Sequence, residues 1–108
     1  MFVDRATLFL HHIMDWCDTV SGLDYEETAE SLTVPIRPGT TYLFNVRSGL
    51  EQLWMSSPVS GGHHFEWCDT LHKQGHTYPW VDTRNGQLIT DVFFQEVTHL
   101  VSRDAPPS

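Results

Sequence analysis

Residues 41–67 read TYLFNVRSGLEQLWMSSPVSGGHHFEW, and apolar side chains alternate with polar ones through much of this stretch. The alternating apolar residues are Tyr42, Phe44 and Val46 in the first part of the stretch and Leu53 and Met55 in the second. Successive side chains of a strand point to opposite faces of a sheet, and a Ser-Gly turn signal separates the two groups. The alternation therefore predicts two antiparallel strands that share one buried face.

The opposite face carries polar side chains apart from Leu43 and the large indole of Trp54. A tryptophan among hydrogen-bonding groups has the composition of an interface hot spot, in which an aromatic anchor supplies most of the binding energy. The alternative is that the segment CDTLHKQGHTYP, residues 68–79, covers the indole. Alternation alone does not decide between the two. The polar residues of this face include Thr33, Asn45, Arg47, Gln52 and Ser56.

Further strand signals lie before this stretch, at its end and after it. LTVPI at residues 32–36 alternates before it, HHFEW at residues 63–67 ends it, and WVD at residues 80–82 follows. The connections between the first strands are short, which predicts an antiparallel meander. Residues 68–79 are polar and lack a period, so they are predicted to form a loop.

Apolar residues recur at helical spacing towards both ends of the chain, over residues 2–20 and from residue 87 to about 102. On a wheel of about 100° per residue each set occupies one side, with Glu96 inside the second apolar arc. The sets are Phe2, Val3, Ala6, Phe9, Leu10, Ile13, Met14, Trp16, Cys17 and Val20, then Leu88, Ile89, Val92, Phe93, Val97, Leu100 and Val101. The order helix, sheet, helix predicts an α+β fold, a two-layer α/β sandwich with both helices on one face of the sheet.

Composition excludes several classes of protein. The 108 residues suffice for one domain, predicted at 1–102 with a flexible tail at 103–108. The net charge of −8 argues against nucleic acid as a partner, because Lys and Arg carry phosphate affinity. No apolar run approaches the about 20 residues that span a bilayer.

The two cysteines are Cys17 and Cys68. They lack a Cys-x-x-Cys spacing and are expected to be free thiols, although a single disulfide between them stays open.

Two groups of side chains could bind metal ions. Carboxylates concentrated at the N-terminal end suit hard cations such as iron, and they equally suit a solvated helix face beside a charged edge strand. This acidic set is Asp4, Asp15, Asp18, Asp24, Glu26, Glu27 and Glu30. The other group is His63, His64, Cys68, His72 and His76, whose spacing favours a surface loop over a zinc site. No serine has an evident base partner, so nucleophilic catalysis has no support.

The same stretch resembles the frataxin family. Its Gln-hydrophobic-Trp-hydrophobic-Ser-Ser-Pro-x-Ser-Gly run at residues 52–61 is similar to that family's hallmark. The segment WVDTRNGQLITDVFFQEV, residues 80–97, is similar to the family's Trp-Val strand, glycine turn and closing helix. The resemblance covers residues 2–101, looks like the eukaryotic branch, and implies N- and C-terminal helices on one face of a sheet of about five to seven antiparallel strands.

The resemblance also implies a role in iron-sulfur cluster assembly. Frataxins bind the complex of cysteine desulfurase and iron-sulfur scaffold protein, promote sulfur transfer, and bind iron weakly through an acidic ridge. The implied partner-binding residues are Asn45, Arg47, Gln52, Trp54, Ser56 and His64, of which Arg47 and His64 differ from the residues common in the family. The implied iron ligands are Asp15, Asp18, Asp24, Glu26, Glu27 and Glu30.

Other expectations come from the same resemblance. The alternative function is an iron chaperone or ferroxidase that stores or delivers ferrous iron. The chain is expected in the mitochondrial matrix, as a monomer or an iron-dependent oligomer, and no residue is assigned a catalytic role. His11 and His12 stand on a first helix that carries fewer acids than is usual in the family.

Overall fold

Six strands form one antiparallel sheet whose spatial order is the order of the chain. The strands are β1 (Glu26–Glu27), β2 (Ser31–Arg37), β3 (Thr40–Arg47), β4 (Gln52–Ser57), β5 (Gly61–Trp67) and β6 (Trp80–Asp82). Every neighbouring pair is antiparallel, as expected where short turns join consecutive strands. The predicted meander is confirmed.

Three helices accompany the sheet in this computed structural model, which describes residues 2–104 apart from the side chains at positions 3 and 102–104. They are α1 (Phe2–Trp16), α2 (Asp69–Lys73) and α3 (Ile89–Asp104). Val3 of the predicted apolar face and residues 105–108 of the predicted tail lie outside this description. None of the described helices is long and apolar enough to cross a membrane.

Both long helices pack on the same face of the sheet. The ring of Phe9 from α1 lies 5.9 Å from that of Phe44, and Phe93 from α3 lies 5.2 Å from Phe44 and 5.0 Å from Tyr42. Leu53 is fully buried on the same side. The alternation that predicted the strands therefore also selects the side chains that meet the helices, and the two-layer sandwich is confirmed.

Two local predictions were wrong. A π-helical turn, Cys17–Ser21, follows α1, and its wider winding leaves the predicted core residue Val20 74% exposed. Within the predicted loop at residues 68–79, the structure has the short helix α2 instead. Lys73 lies 3.2 Å from Asp69 one turn away, but five residues are too few to show a hydrophobic period.

A candidate docking face and an acidic edge

The six predicted partner-binding residues lie together on the sheet face opposite the helices. Asn45 is paired across the strands with Trp54, and Trp54 with His64, so the three form a row over β3, β4 and β5. Arg47 and Gln52 are the next pair along, and Ser56 is the next residue of this parity on β4. We call this set of six residues the docking face.

The indole of Trp54 is held flat against its neighbours. The His64 ring stacks on it at 3.9 Å between centroids and 7° between planes, and the Arg47 guanidinium lies 4.6 Å from the ring centroid. Its Nε1 donates to Oε1 of Gln52 at 2.8 Å. The side chain is therefore half-buried by residues of its own face, and these contacts fix its orientation.

Glu66 also belongs to this face, although it was absent from the sequence prediction. Gln52 donates through Nε2 to Glu66 Oε1 at 3.1 Å, which fixes the amide that accepts the hydrogen bond from Trp54. Glu66 has the same parity as His64 on β5, so alternation carried that far along the chain would have found it.

A shallow depression lies beside the indole. It encloses about 140 Å³ and is bounded by Leu43, Trp54, Ser56 and His64. Leu43 is one of the large apolar side chains that stay exposed, at 38%. The docking face thus combines an aromatic side chain, an exposed aliphatic side chain and hydrogen-bonding groups.

The alternative in which residues 68–79 cover Trp54 is wrong. This segment packs at the other side of the sheet, where His72 contacts Trp67 at 5.0 Å between ring centroids. Further along, the Tyr78 ring stacks on His12 of α1 at 4.5 Å. Both contacts lie on the helix-bearing side, because Trp67 has the parity of the buried Phe65.

The predicted acidic ligands lie at the β1 edge of the sheet, which is the edge farthest from β6. They are all exposed, Asp15 and Asp18 at the end of the first helix and the others on or beside the edge strand β1. The hydroxyl of Tyr25 donates to Asp18 Oδ2 at 3.0 Å, and this bond raises the pKa of the tyrosine. We call these residues, Asp15, Asp18, Asp24, Glu26, Glu27 and Glu30, the acidic edge.

The acidic edge offers suitable donors for iron but no preformed centre. Carboxylate oxygens suit hard cations. Nevertheless, nowhere in the described part of the chain do three His, Cys, Asp or Glu side chains converge so that they could hold a metal ion. The arrangement is that of a charged surface, which attracts cations without fixing their coordination.

The two surfaces meet at one groove. Glu30 of the acidic edge and Asn45 and Arg47 of the docking face line the same cavity of about 340 Å³, which continues to Leu50 in the β3–β4 turn. One ligand could therefore contact both surfaces at once.

The histidine and cysteine array is not brought together. His63 is buried and lies 2.7 Å from Asp82, whereas its neighbour His64 is exposed on the docking face. Cys17 and Cys68 are free, and burial raises the pKa of the Cys17 thiol. The expectation of free thiols is confirmed, and the array gives no zinc site within residues 2–104.

The sequence showed no serine with an evident base partner, and the structure places one serine beside a histidine. Ser60 Oγ lies 2.7 Å from His63 Nε2, and the same oxygen lies 2.6 Å from Glu96 Oε2. Ser60 and His63 stand only three residues apart at the β4–β5 turn, whereas Glu96 comes from α3, 36 residues further along the chain, so local spacing could have indicated only the first contact.

Comparison with known proteins identifies the family. The frataxin-like domain family matches residues 2–103. The chain belongs to the frataxin-like domain family. A mitochondrial frataxin homolog of Saccharomyces cerevisiae is 29% identical over 106 residues, covering 93% of this chain and 56% of that protein. An iron-sulfur cluster assembly protein CyaY of Pseudomonas fluorescens is 38% identical over 65 residues, covering 60% of this chain and 56% of that one.

The fold agrees with solved frataxins. A crystal structure of trimeric S. cerevisiae frataxin, complexed with ferrous iron, superposes with a TM-score of 0.75 at 28% identity, covering 91% of this chain and 86% of that one. The chain spans between about a third and just over half of the length of the curated relatives it matches.

Proposed function

We propose that this frataxin-like chain is an accessory protein of iron-sulfur cluster assembly. It binds the complex of cysteine desulfurase and iron-sulfur scaffold protein through the docking face and promotes sulfur transfer by favouring the competent conformation of that complex. The acidic edge binds ferrous or ferric iron weakly, as cargo or effector. The family membership and the name of the Pseudomonas relative support the process, and the geometry supports the mode of binding.

The observation that carries the proposal is the fixed, half-buried indole of Trp54. Hot spots combine a large aromatic side chain with hydrogen-bonding neighbours that exclude water on binding. Here Arg47 and His64 contact the ring and Gln52 accepts its N–H, so little side-chain entropy is lost when a partner binds.

A second candidate function is iron carriage or ferroxidase activity centred on the acidic edge. It is supported by the exposed carboxylates along β1 and by the ferrous complex of the yeast relative. The two functions are compatible, because Glu30 lines a groove together with Asn45 and Arg47. In that case the acidic edge also contributes electrostatic complementarity to docking.

The test of docking is the variant Trp54→Ala in a purified desulfurase and scaffold assay. We expect the Kd for the complex to rise by about 30-fold, the effect of losing a hot spot of about 2 kcal/mol, and stimulation to fall accordingly. Leu8→Ala is the matched control, since it removes an exposed apolar side chain, 62% accessible, from the helical layer. Undiminished stimulation by a folded Trp54→Ala protein would exclude the docking proposal.

The same assay tests iron carriage when it is run with and without ferrous iron. The triple variant Asp24→Asn, Glu26→Gln, Glu27→Gln removes three charges from the acidic edge while retaining polar side chains. Loss of iron binding with retained docking would support a separate carrier role. If iron binding and oxidation are unchanged, the acidic edge is not the iron site.

The compartment and the oligomeric state are proposed from the relatives. We propose a mitochondrial matrix location, as in the mitochondrial homolog of S. cerevisiae, and a monomer that can assemble when iron is present, as the trimeric yeast structure suggests. Sedimentation with and without ferrous iron distinguishes a monomer from an iron-dependent oligomer.

A further inference from the structure

One carboxyl group joins the closing helix to three successive parts of the sheet. Glu96 of α3 accepts hydrogen bonds at Oε1 from the hydroxyls of Tyr42 on β3, at 2.8 Å, and of Ser57 on β4, at 2.6 Å. Its Oε2 lies 2.6 Å from Oγ of Ser60, in the turn between β4 and β5. The next residue of the helix, Val97, is buried, so these contacts lie where the two layers meet. We call Glu96 and the three hydroxyl groups the hydroxyl clamp.

Two of these bonds have a fixed direction whatever the charge on Glu96. Ser57 Oγ accepts the backbone N–H groups of Val59 and Ser60, both at 3.0 Å, so its single proton is free for Glu96. Burial, together with the hydrogen bond to Glu96, raises the pKa of Tyr42, so this hydroxyl also keeps its proton. The hydroxyl clamp therefore needs an acceptor oxygen at this position of α3, which a carboxylate, a neutral carboxyl group or an amide provides.

The hydroxyl clamp fixes the turn at an end of the β4–β5 hairpin that has few side chains of its own. Strand β5 begins with Gly61 and Gly62, which pair with Ser57 and Ser56 across the strands. Glycine contributes no side chain to cross-strand contacts, and it loses more conformational freedom on folding than other residues. This end of the hairpin is therefore held from the helical layer, through Ser57 and the backbone N–H groups that Ser57 binds.

The same hairpin carries the stacked rings of the docking face on the opposite side of the sheet. The stack of His64 on the indole, at 3.9 Å and 7°, depends on how β5 lies against β4. Ser60 of the hydroxyl clamp also contacts Nε2 of His63 at 2.7 Å, so the clamp reaches the residue next to His64. The cross-strand pairs that lead from the turn to the stack are Ser57 with Gly61, Ser56 with Gly62, Met55 with His63 and Trp54 with His64.

We propose that Glu96 is a positioning residue of the docking face: through the hydroxyl clamp it holds the β4–β5 hairpin in the arrangement in which His64 stacks on Trp54. The inference rests on the proposed docking function and adds to it a residue on the helix-bearing side, which acts on a partner only through the stack. Without the clamp, the folded protein populates both stacked and unstacked arrangements, and only the stacked one binds the partner with full affinity.

The size of the effect follows from the fraction of folded molecules that keep the stack. The apparent Kd rises by the reciprocal of that fraction, so a stack kept in about one fifth of the molecules raises the Kd about fivefold. The maximal stimulation at saturating protein stays the same, because the partner selects the stacked arrangement. A loss of global stability acts differently, since it leaves the Kd unchanged as long as nearly all molecules stay folded.

The decisive variants are Glu96→Ala and Glu96→Gln, titrated into the purified complex of desulfurase and scaffold. We expect Glu96→Ala to raise the Kd about fivefold and still to reach the natural maximum of stimulation. Glu96→Gln should stay within about twofold, because its amide can accept and donate where the two carboxyl oxygens lie. Phe94→Ala is the matched control, since it removes a half-buried ring from the same helix outside the hydroxyl clamp, and it should also stay within about twofold.

Proton NMR of the His64 ring gives a second readout that needs no partner. The ring current of the indole shifts these protons in the stacked arrangement, and Trp54→Ala supplies the unstacked reference. Glu96→Ala should lose most of this shift, whereas Glu96→Gln and Phe94→Ala should keep it.

Two results would overturn the inference and leave the docking proposal standing. One is a natural Kd and a natural His64 shift in a folded Glu96→Ala protein. The other is an equal rise in Kd for Phe94→Ala or Glu96→Gln, which would assign the effect to lost stability or lost charge. If Trp54→Ala also binds with the natural Kd, the docking proposal itself fails, and the His64 shift still shows whether Glu96 positions the stack.

Discussion

Individual side chains in this protein act mainly through the neighbours that orient them. Trp54 is typical, because an indole alone on a sheet would be mobile, whereas Gln52, Arg47 and His64 fix it on three sides. Glu96 shows the same effect within the apolar face of α3, since three hydroxyl groups compensate its charge. Parity and helical phase predicted where both residues lie, but not their partners.

The hydroxyl of Tyr42 can be tested on its own. Tyr42→Phe keeps the ring against Phe93 but removes one donor from Glu96, so we expect a loss of about 1–2 kcal/mol in the free energy of unfolding. Tyr78→Phe is the control, since its hydroxyl makes none of the hydrogen bonds found in residues 2–104, and it should change stability by less than about 0.5 kcal/mol. Equal stability of Tyr42→Phe and the natural chain in urea would contradict the role of this bond.

At the scale of elements, hydrophobic periodicity predicted every strand from β2 onwards and both long helices, because each of these elements buries one face. It failed where an element buries little or changes its winding. Helix α2 has no buried residue and depends on local contacts such as that of Lys73 with Asp69. The π turn at Cys17–Ser21 shifts the phase of the first helix, which no count of 3.6 residues per turn can reveal.

The end of that π turn gives a prediction about backbone conformation. Gly22 has φ of 71° and donates its N–H to the Cys17 carbonyl at 2.9 Å, so Gly22→Ala should cost about 1 kcal/mol even though its Cβ would meet open space. Gly49→Ala, also into open space but without a positive φ, should stay within about 0.5 kcal/mol. Thermal unfolding of the two variants checks the difference, and equal midpoints would show that the left-handed cap is not under steric constraint.

At the scale of the whole molecule, the placement of both long helices on one sheet face creates two surfaces of different character. One face becomes the core, in which Phe93 contacts Tyr42, Phe44 and Trp16. The other face has neither long helix packed on it and presents the docking residues. The acidic edge adds negative charge along one side, so this face has a charged border next to an aromatic centre.

Because the two layers meet at Phe93, this residue reports on the sandwich as a whole. The ring is fully buried, and Phe93→Ala should lower the free energy of unfolding by about 3–5 kcal/mol through lost burial and a cavity. Phe94→Ala on the same helix turn removes a half-buried ring and should cost about 1–2 kcal/mol. Urea denaturation of both gives the comparison, and a smaller loss for Phe93→Ala would contradict this view of the core.

The sequence by itself determined the strands from β2 onwards, the two long helices, the layered architecture and the side chains of β3 and β4 that face away from the helices. The strands follow from alternating apolar and polar residues, and the helices follow from apolar residues at helical spacing. In both cases the regular geometry of the element places its apolar side chains on one face. Only the tertiary structure decided that residues 68–79 leave Trp54 uncovered, that the acidic edge meets the docking face at Glu30, and that Glu96 reaches Ser60. Such contacts join residues far apart in the chain, and their distances depend on the packing of helices against the sheet, which local periodicity does not specify.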